Sequence, residues 1–184
     1  WGLENQFVVG YVGTHGMAHA LGNVLDTAER VKGVDGLRFL LAGAGAERGA
    51  LIADAERRGL DNIVFMPAQP KDAMPAVWSL CDVALVHLKN DSVFAGVIPS
   101  KIFEAMASGL PVLLAAPQGE ASRIVEADGA GVCVPAEDPD ALADACRTLM
   151  DDGAELKALA EKSIAAARLH SREAQARHMA EVLE

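Results

Sequence analysis

A chain of 184 residues, 51% hydrophobic and 23% charged, has the composition of one globular domain and can bury a substantial core. Its formal net charge of −10 excludes two classes that need a basic face, the nucleic-acid binders and the polybasic membrane-surface proteins. No apolar run approaches the roughly 20 residues of a membrane-spanning helix, and no basic segment followed by an apolar one marks a secretion signal.

Apolar segments with strand character alternate with segments of helical periodicity along most of the chain. The predicted strands cover residues 7–13, 37–43, 62–66, 82–88, 110–116 and 130–135. The predicted helices cover residues 19–32, about 47–58, 72–81, 119–129, 141–150, 154–169 and 172–183, and a further helix begins near Pro99. Gly59 is expected to end the second helix, and Pro75 to lie in the first turns of the third.

Strands that are apolar on both faces and alternate with helices are typical of a parallel sheet covered on both sides. We therefore expect an α/β fold, a doubly wound, Rossmann-like parallel sheet of six strands with helices on both faces and extra C-terminal helices. Residues 1–184 would form one domain, and part of a helical tail at 153–184 would serve a neighbouring domain. Ligands of such sheets bind at the carboxyl ends of the strands, here in the loops after Gly13, Gly43, Met66, Leu88 and Ala115.

The first of these loops lies in "GYVGTHGMAH" and places Gly13, Thr14, His15 and Gly16 after the first strand. Glycines there allow a ligand to approach the backbone, and the start of the next helix offers amides to an anion. His15 and His19 could add donors to a phosphate. The alternative is a tight strand-to-helix turn with solvated histidines.

The second loop, "LLAGAGAERG", also follows a strand and is rich in glycine. Its pattern, GxGxxxG, is one residue longer than the dinucleotide fingerprint. Asp61 lies near the place of a ribose-binding acid, but it precedes the third strand instead of ending the second. A plain strand-to-helix turn is therefore the favoured interpretation.

The segment "VIPSKIFEAMASGLPVLL" carries Ser100, Lys101 and Glu104 at the start of a helix. Their spacing places all three on one side of that helix. Lys101 and the first amides would bind a diphosphate, and a carboxylate one turn further would accept bonds from ribose hydroxyls. The alternative is a solvated Lys–Glu pair. The apolar neighbours are expected to be buried, which favours the ligand site; these are Ile98, Ile102, Phe103, Ala105, Met106 and Ala107.

Other candidates are weaker. His87 ends the fourth strand and either faces the cleft or is a structural histidine, and Glu120 and Arg123 either cap a helix or face the site. No nucleophile elbow, HExxH pair or P-loop occurs. No metal site is predicted, since the odd set of cysteines has no zinc spacing and is expected to be buried and reduced. These are Cys81, Cys133 and Cys146.

Three long segments of the chain resemble a known family. They are "PSKIFEAMASGLPVLLA" with "GEASRIVEADGAGVCVPAEDPDALADACRTLMDD", "LLAGAGAERGALIADAERRGLDNIVFMPAQPKDAMPAVWSLCDVALV", and "YVGTHGMAHALGNVLDTA". The first two resemble the C-terminal half of family-four retaining glycosyltransferases of the GT-B type. The third is similar to a subgroup that builds bacterial surface polysaccharides, often with 6-deoxy or N-acetylated sugars. The resemblance extends from residue 7 to about 152.

The resemblance implies two Rossmann-like domains that face each other across a cleft, with the nucleotide-sugar donor on the C-terminal one. Glu104 matches the second glutamate of the family's Glu-x7-Glu pattern, which binds the ribose. Ser100 and Lys101 fall at the diphosphate, where Lys101 would act as the catalytic group. Ala68 and Gln69 lie in the segment that touches the base.

The remaining matched positions include three departures from the family pattern. Gly13 matches the first-loop glycine, but Thr14 stands where the family has arginine. His19 stands where a lysine clamps phosphate. Gly96, beside Val97, takes the place of the first glutamate, which touches the donor sugar. Nucleotide binding is thus expected, while the donor-sugar contacts are in question.

The expected function is donor binding in a glycosyltransferase that moves a sugar from a nucleoside-diphosphate sugar, a UDP-sugar by preference, with retention. The acceptor would be a lipid-linked glycan or a polysaccharide, with no cofactor and no obligatory metal. Because the chain begins with Trp1 and not with Met, it is expected to be a piece of a longer protein. The acceptor domain would be missing, and the piece would bind nucleotide without turnover. The expected location is the cytoplasm, with the inner face of the membrane as an alternative for the full-length protein.

Two alternatives remain open. One is an NAD-type domain of an oxidoreductase, which would need an acid at the end of the second strand, where Ala42 and Gly43 stand. The other is a non-catalytic module that binds nucleotide sugars.

Overall fold

The computed structural model describes residues 1–171, 174, 176 and 179. Its sheet contains six parallel strands in the order β3-β2-β1-β4-β5-β6, which confirms the predicted fold class. The strands are β1 (Phe7–Val12), β2 (Leu37–Ala42), β3 (Ile63–Met66), β4 (Val83–His87), β5 (Val112–Ala115) and β6 (Gly131–Val134). The order reverses at β1 and β4, so the loops after these two strands flank the point where ligands of such sheets bind.

Helices follow the strands as the sequence predicts. They are α1 (Gly22–Arg30), α2 (Arg48–Arg58), α3 (Met74–Trp78), α4 (Lys101–Ala107), α5 (Glu120–Asp128), α6 (Pro139–Asp151) and α7 (Gly153–Leu169). Short 3-10 turns occupy Met17–His19, Lys71–Ala73 and Ser92–Gly96. Gly59 ends α2 in the left-handed conformation, and Pro75 lies in the first turn of α3, both as predicted.

Strand alternation divides the core into two halves. On β1, Val8 and Val12 face one side of the sheet and pack with helices α3, α4 and α5. Val9 and Tyr11 face the other side and pack with α1, α2 and α6. Both faces of the sheet are thus apolar and covered, as the unbroken apolar strands require.

The predicted helix 19–32 begins three residues too early. Met17–His19 forms a 3-10 turn, and Ala20 adopts a left-handed conformation with φ of 42°, so the regular helix starts only at Gly22. The segment 89–99 contains the short turn Ser92–Gly96, which the Asp91 carboxylate caps by accepting a bond from the Val93 amide.

The helix α7 packs against this domain. Its Leu159 and Ala166 are buried, and the Ser163 hydroxyl donates to the Ala130 carbonyl at 2.9 Å. Beyond its end, His170 pairs with Asp128 at 2.6 Å. The predicted helix 172–183 falls on residues that, apart from 174, 176 and 179, lie outside the described part of the chain.

The three cysteines are free thiols. Cys81 and Cys146 are buried and Cys133 is half-buried, and burial raises the pKa of each thiol to about 12. In the part of the chain that the structure describes, no helix combines the length and the apolar composition that a membrane crossing requires.

Candidate functional site

Two glycine-rich loops pack against each other at the carboxyl ends of β1 and β2. The His15 amide donates to the Ala44 carbonyl at 2.8 Å, and the Glu47 amide donates to the His15 carbonyl at 3.0 Å. A Cβ atom on Gly43 would lie 1.8 Å from the Gly13 carbonyl oxygen. The glycines of the second loop therefore permit close packing of two backbones, which supports the plain-turn interpretation of GxGxxxG over a dinucleotide fingerprint.

Lys101 places a buried cation beneath the first loop. Its Nζ is buried and has no hydrogen-bond partner among the described residues. It lies 4.0 Å from the ring centroid of Tyr11, and a Cβ atom on Gly13 would come within 2.8 Å of it. Burial lowers the pKa of Lys101 to about 8, against the opposing effect of Glu104. The structure thus brings Lys101 and Gly13 together, as the sequence predicts.

Ser100 and Glu104 form a pair at the start of α4. The Ser100 hydroxyl donates to Glu104 Oε1 at 3.2 Å, and both residues are exposed, so the carboxylate is open to a ligand. Their expected apolar surroundings are only partly buried. Ile102, Ala105 and Met106 are buried, but Phe103 is half-buried and Ile98 and Ala107 are exposed. The prediction was wrong for the last two because Ile98 precedes the helix and Ala107 lies on its outer face.

His15 lies at the contact between the two glycine-rich loops. It is fully buried, and neither ring nitrogen has a hydrogen-bond partner among the described residues. Burial and the charges of Arg48 and Lys101 lower its pKa to about 4. The role of His15 as a phosphate donor stays a prediction.

His19 and His87 hold each other in place. Asn23 Nδ2 donates to His87 Nε2 at 2.8 Å, so His87 carries its proton on Nδ1 and donates it to the His19 carbonyl at 2.8 Å. Burial lowers the pKa of His87 to about 4, as expected for a structural histidine. His19 Nδ1 in turn donates to the His87 carbonyl at 3.2 Å. Its Nε2 would thus donate to a phosphate only after gaining a proton, and burial and Lys101 lower the pKa of His19.

Two pockets meet at Gln69. The first, of about 270 Å³, is lined by the loops after β1, β2 and β3, including Thr14, Ala68 and Gln69. The second, of about 690 Å³, shares Gln69 and Met74 and extends to Glu104. The first loop, the segment after β3 and the side of α4 therefore line two neighbouring pockets.

Gly96 and Val97 lie on the turn that leads into α4, and both are exposed. A Cβ atom on Gly96 would meet nothing within 4 Å, so the position has room for a side chain. The turn rests on the start of α5, where a Cβ atom on Gly119 would lie 1.9 Å from the Ala95 carbonyl oxygen. Glu120 and Arg123 pair with each other at 2.7 Å on the exposed side of α5.

Sequence reasoning missed Tyr11. This residue stands two positions before Gly13 in the quoted first motif, and strand alternation places it on the same side of β1 as that glycine. An aromatic residue at this spacing was the signal that could have identified it. Among the described residues, no group of three His, Cys, Asp or Glu side chains could hold a metal ion.

The chain is similar to known proteins in sequence. The family model described as Glycosyl transferases group 1 matches residues 6–152. WcaI of Escherichia coli (strain K12), named as a glycosyl transferase of colanic acid biosynthesis, is 34% identical over 141 residues, which cover 76% of this chain and 34% of WcaI. WbjE of Pseudomonas aeruginosa, named as a glycosyltransferase, is 30% identical over 138 residues, which cover 72% of this chain and 33% of WbjE. The chain thus spans about a third of the length of these curated relatives.

The fold is similar to that of solved structures. Alr3699/HepE of Anabaena, in complex with UDP, matches 99% of this chain and 50% of its own with a TM-score of 0.85 at 22% identity. The same protein in complex with UDP-glucose matches with a TM-score of 0.84. The match covers the whole arrangement of sheet and helices described above.

Proposed function

This chain belongs to the family of glycosyl transferases group 1, and from that premise we propose that it binds the nucleoside diphosphate of a UDP-sugar donor. The family and the Rossmann-like fold of a GT-B C-terminal domain, both predicted from the sequence, are confirmed. The donor, the acceptor and retention of configuration are proposals for the longer protein, of which this chain would be one domain.

The observation that carries the proposal is the buried ammonium of Lys101. It has no hydrogen-bond acceptor among the described residues and lies beneath Gly13, at the loop that ends the central strand β1. An unpaired buried charge is costly, and an anion that approached Gly13 would supply the missing partner. A diphosphate has the charge and the several acceptor oxygens that this place requires.

The nucleoside would extend from the diphosphate into these two neighbouring pockets. Glu104 is exposed at one end of the larger pocket and can accept bonds from ribose hydroxyls. Ala68 lines the smaller pocket and Gln69 lines both, and these two residues would contact the base. The UDP complexes of Alr3699/HepE favour uracil as the base.

The proposed reaction breaks the bond between the sugar's anomeric carbon and the diphosphate and forms one to an acceptor hydroxyl. The hydroxyl proton would pass to a base on another domain, and the diphosphate would leave with additional negative charge. Lys101 would stabilise that charge, which is catalysis by electrostatic stabilisation. The name of WcaI supports a polysaccharide or lipid-linked glycan acceptor. We propose that no metal is obligatory.

Gly96 supports a second candidate, a module that binds nucleotide sugars without transferring them. The position that would carry a carboxylate toward the donor sugar has no side chain. Assay of the full-length protein with a UDP-sugar donor separates the two candidates, because only the enzyme releases UDP when an acceptor is present.

Thermal unfolding in the presence of UDP, GDP, ADP and NAD tests the nucleotide class. A ligand at about 100 times its Kd stabilises the folded chain by about 2.7 kcal/mol, which raises Tm by roughly 5 to 10 °C for a domain of this size. We expect UDP to raise Tm by this amount, and NAD to leave it unchanged. A rise with NAD alone would instead support the oxidoreductase alternative.

A further inference from the structure

Tyr11 lies beside three basic side chains at the first loop, Lys101, His15 and His19. It is fully buried on β1, with its ring centroid 4.0 Å from Lys101 Nζ. The ring centroids of His15 and His19 lie 6.0 Å and 5.7 Å away. The Tyr11 hydroxyl donates to the Thr14 carbonyl at 2.8 Å. One side chain therefore fixes both the cation and the loop above it.

An aromatic ring can hold an ammonium group in place without using its hydrogen-bond donors, which remain available to a ligand. A carboxylate partner would neutralise the ammonium and occupy its hydrogen bonds, whereas a ring face attracts the ammonium and carries no charge of its own. Lys101 Nζ has no hydrogen-bond partner among the described residues, so its three donors remain for a ligand. Burial raises the pKa of the Tyr11 phenol far above its ordinary value, so the hydroxyl stays a donor to Thr14.

We propose that Tyr11 is the positioning residue of the diphosphate site, its ring holding the Lys101 ammonium beneath Gly13 and its hydroxyl fixing the loop that carries Thr14. This inference rests on the proposed function, because it concerns the same anion site. Tyr11 acts through Lys101 and the loop and does not itself touch the ligand. Replacement of Tyr11 should therefore change the pKa of Lys101 as well as the affinity of the site for UDP.

The titration of Lys101 reflects its whole surroundings. Burial lowers its pKa to about 8, and the nearby carboxylate of Glu104 on the same helix opposes this. The ring of Tyr11 also favours the charged form. The titratable groups that face Lys101 from β1, the first loop, β4 and its own helix are Tyr11, His15, His19, His87 and Glu104.

A pH series of UDP affinity measures this titration. Only the protonated lysine attracts a diphosphate, so above about pH 7, where the terminal phosphate of UDP is ionised, Kd should be flat up to the pKa of Lys101 and then rise, by up to tenfold per pH unit. UDP binding would be measured by calorimetry from about pH 6.5 to about pH 9.5. The variants are Tyr11→Met, which removes the ring, Tyr11→Phe, which removes only the hydroxyl, and Phe39→Met. Phe39 is an equally buried aromatic residue in the same half of the core and serves as the matched control.

We expect the rise in Kd to begin near pH 8 in the wild type, and roughly one pH unit lower in Tyr11→Met, because the ring no longer stabilises the ammonium. Tyr11→Phe should keep the wild-type pH of the rise and bind UDP roughly twofold to tenfold more weakly. Phe39→Met should keep both the pH of the rise and the affinity, whatever its effect on Tm.

The outcomes separate this inference from the proposed function. An unchanged pH of the rise in Tyr11→Met, or an equal change in Phe39→Met, would overturn the role of Tyr11 while UDP binding stands. Should Tyr11→Met not fold, Tyr11→Phe decides, since wild-type affinity in that variant contradicts the role of the hydroxyl. Absence of UDP binding by the folded wild type at every pH would refute the proposed function itself.

Discussion

At the scale of single residues, Lys101 shows how a site can be recognised from what a side chain lacks. A buried ammonium without an acceptor is unfavourable, and its pKa of about 8 expresses that cost. Neighbouring residues do not remove the cost, because Gly13 makes space for Nζ and Tyr11 offers only a ring face. An anionic ligand would supply the acceptor and the opposite charge that Lys101 lacks, which would explain this arrangement.

Glu104 provides the test of the nucleoside end of the site. Replacement by Ala should weaken UDP binding by roughly ten- to a hundredfold, because hydrogen bonds between a carboxylate and the ribose hydroxyls are lost. Binding of 2′,3′-dideoxy-UDP should not change, since that ligand lacks both hydroxyls. Calorimetry on both proteins with both ligands completes the cycle.

Ser100→Ala is the control for this cycle, because the contact with the diphosphate expected at Ser100 involves the backbone amide, which alanine retains. It removes the hydroxyl that donates to Glu104 and leaves the carboxylate in place. We expect UDP affinity to stay within about threefold of the wild type, as for the loss of one exposed hydrogen bond. Equal losses of the two ligands in Glu104→Ala would show that Glu104 does not contact the ribose.

At the scale of secondary-structure elements, the sequence predicted which elements form and misjudged some of their details. Strand and helix order followed from apolar periodicity, which depends on local residues. The start of α1 did not, because a 3-10 turn and the left-handed Ala20 precede it. The burial of His15 depends on packing between two loops, and the contact between Tyr11 and Lys101 joins a strand to a helix 90 residues later. Periodicity predicts neither contact; the spacing of Tyr11 before Gly13 indicates only which face of β1 the ring occupies.

The contact between the two glycine-rich loops should be essential for stability. Gly43→Ala would place a Cβ atom 1.8 Å from the Gly13 carbonyl oxygen, at a residue with φ of +153°. We expect the free energy of unfolding to fall by about 2 to 4 kcal/mol, measured by urea denaturation. Gly49→Ala in the same motif is the control, because a Cβ atom there would meet nothing within 4 Å. It should change stability by less than about 1 kcal/mol, and equal effects of the two variants would contradict the packing argument.

The two buried histidines should make the fold sensitive to acid. His15 and His87 have pKa values of about 4 in the folded chain, below the ordinary value of 6.5. Between about pH 4 and pH 6.5 the unfolded chain binds more protons than the folded chain. The contribution of the two neutral histidines to stability is therefore complete above pH 6.5 and decreases as the pH drops toward 4. Each histidine should contribute up to about 1.4 kcal/mol per pH unit.

Urea denaturation at about pH 7, 6 and 5 measures this loss. His87→Gln cannot gain a proton, so its stability should depend less steeply on pH than that of the wild type. The same dependence in both proteins would show that His87 is not the group that titrates. A stability that rises on acidification over this range would contradict the sign of both histidine pKa shifts.

At the scale of the whole molecule, the candidate site is assembled from three separate parts of the chain. The loop after β1 supplies Gly13, the segment after β3 supplies Gln69, and the start of α4 supplies Lys101 and Glu104. Parallel strands bring these loops to one edge of the sheet, which is why the fold class already predicted where the site would lie. The contacts to the donor sugar could not be predicted in the same way. The residue expected to make them is Gly96, which has no side chain that could contact a sugar.

The most direct test of the account is a calorimetric titration of the chain with UDP at about pH 7, where Lys101 is protonated. We predict one UDP per chain and a Kd at least about tenfold weaker in Lys101→Met, because a charge-assisted interaction with the diphosphate is lost. Lys157→Met changes the net charge equally at an exposed lysine of α7, away from the loops after β1 and β4, and should leave the Kd within about twofold. No UDP binding by the folded wild type, or an equal loss in both variants, would contradict the proposal that Lys101 holds the donor diphosphate.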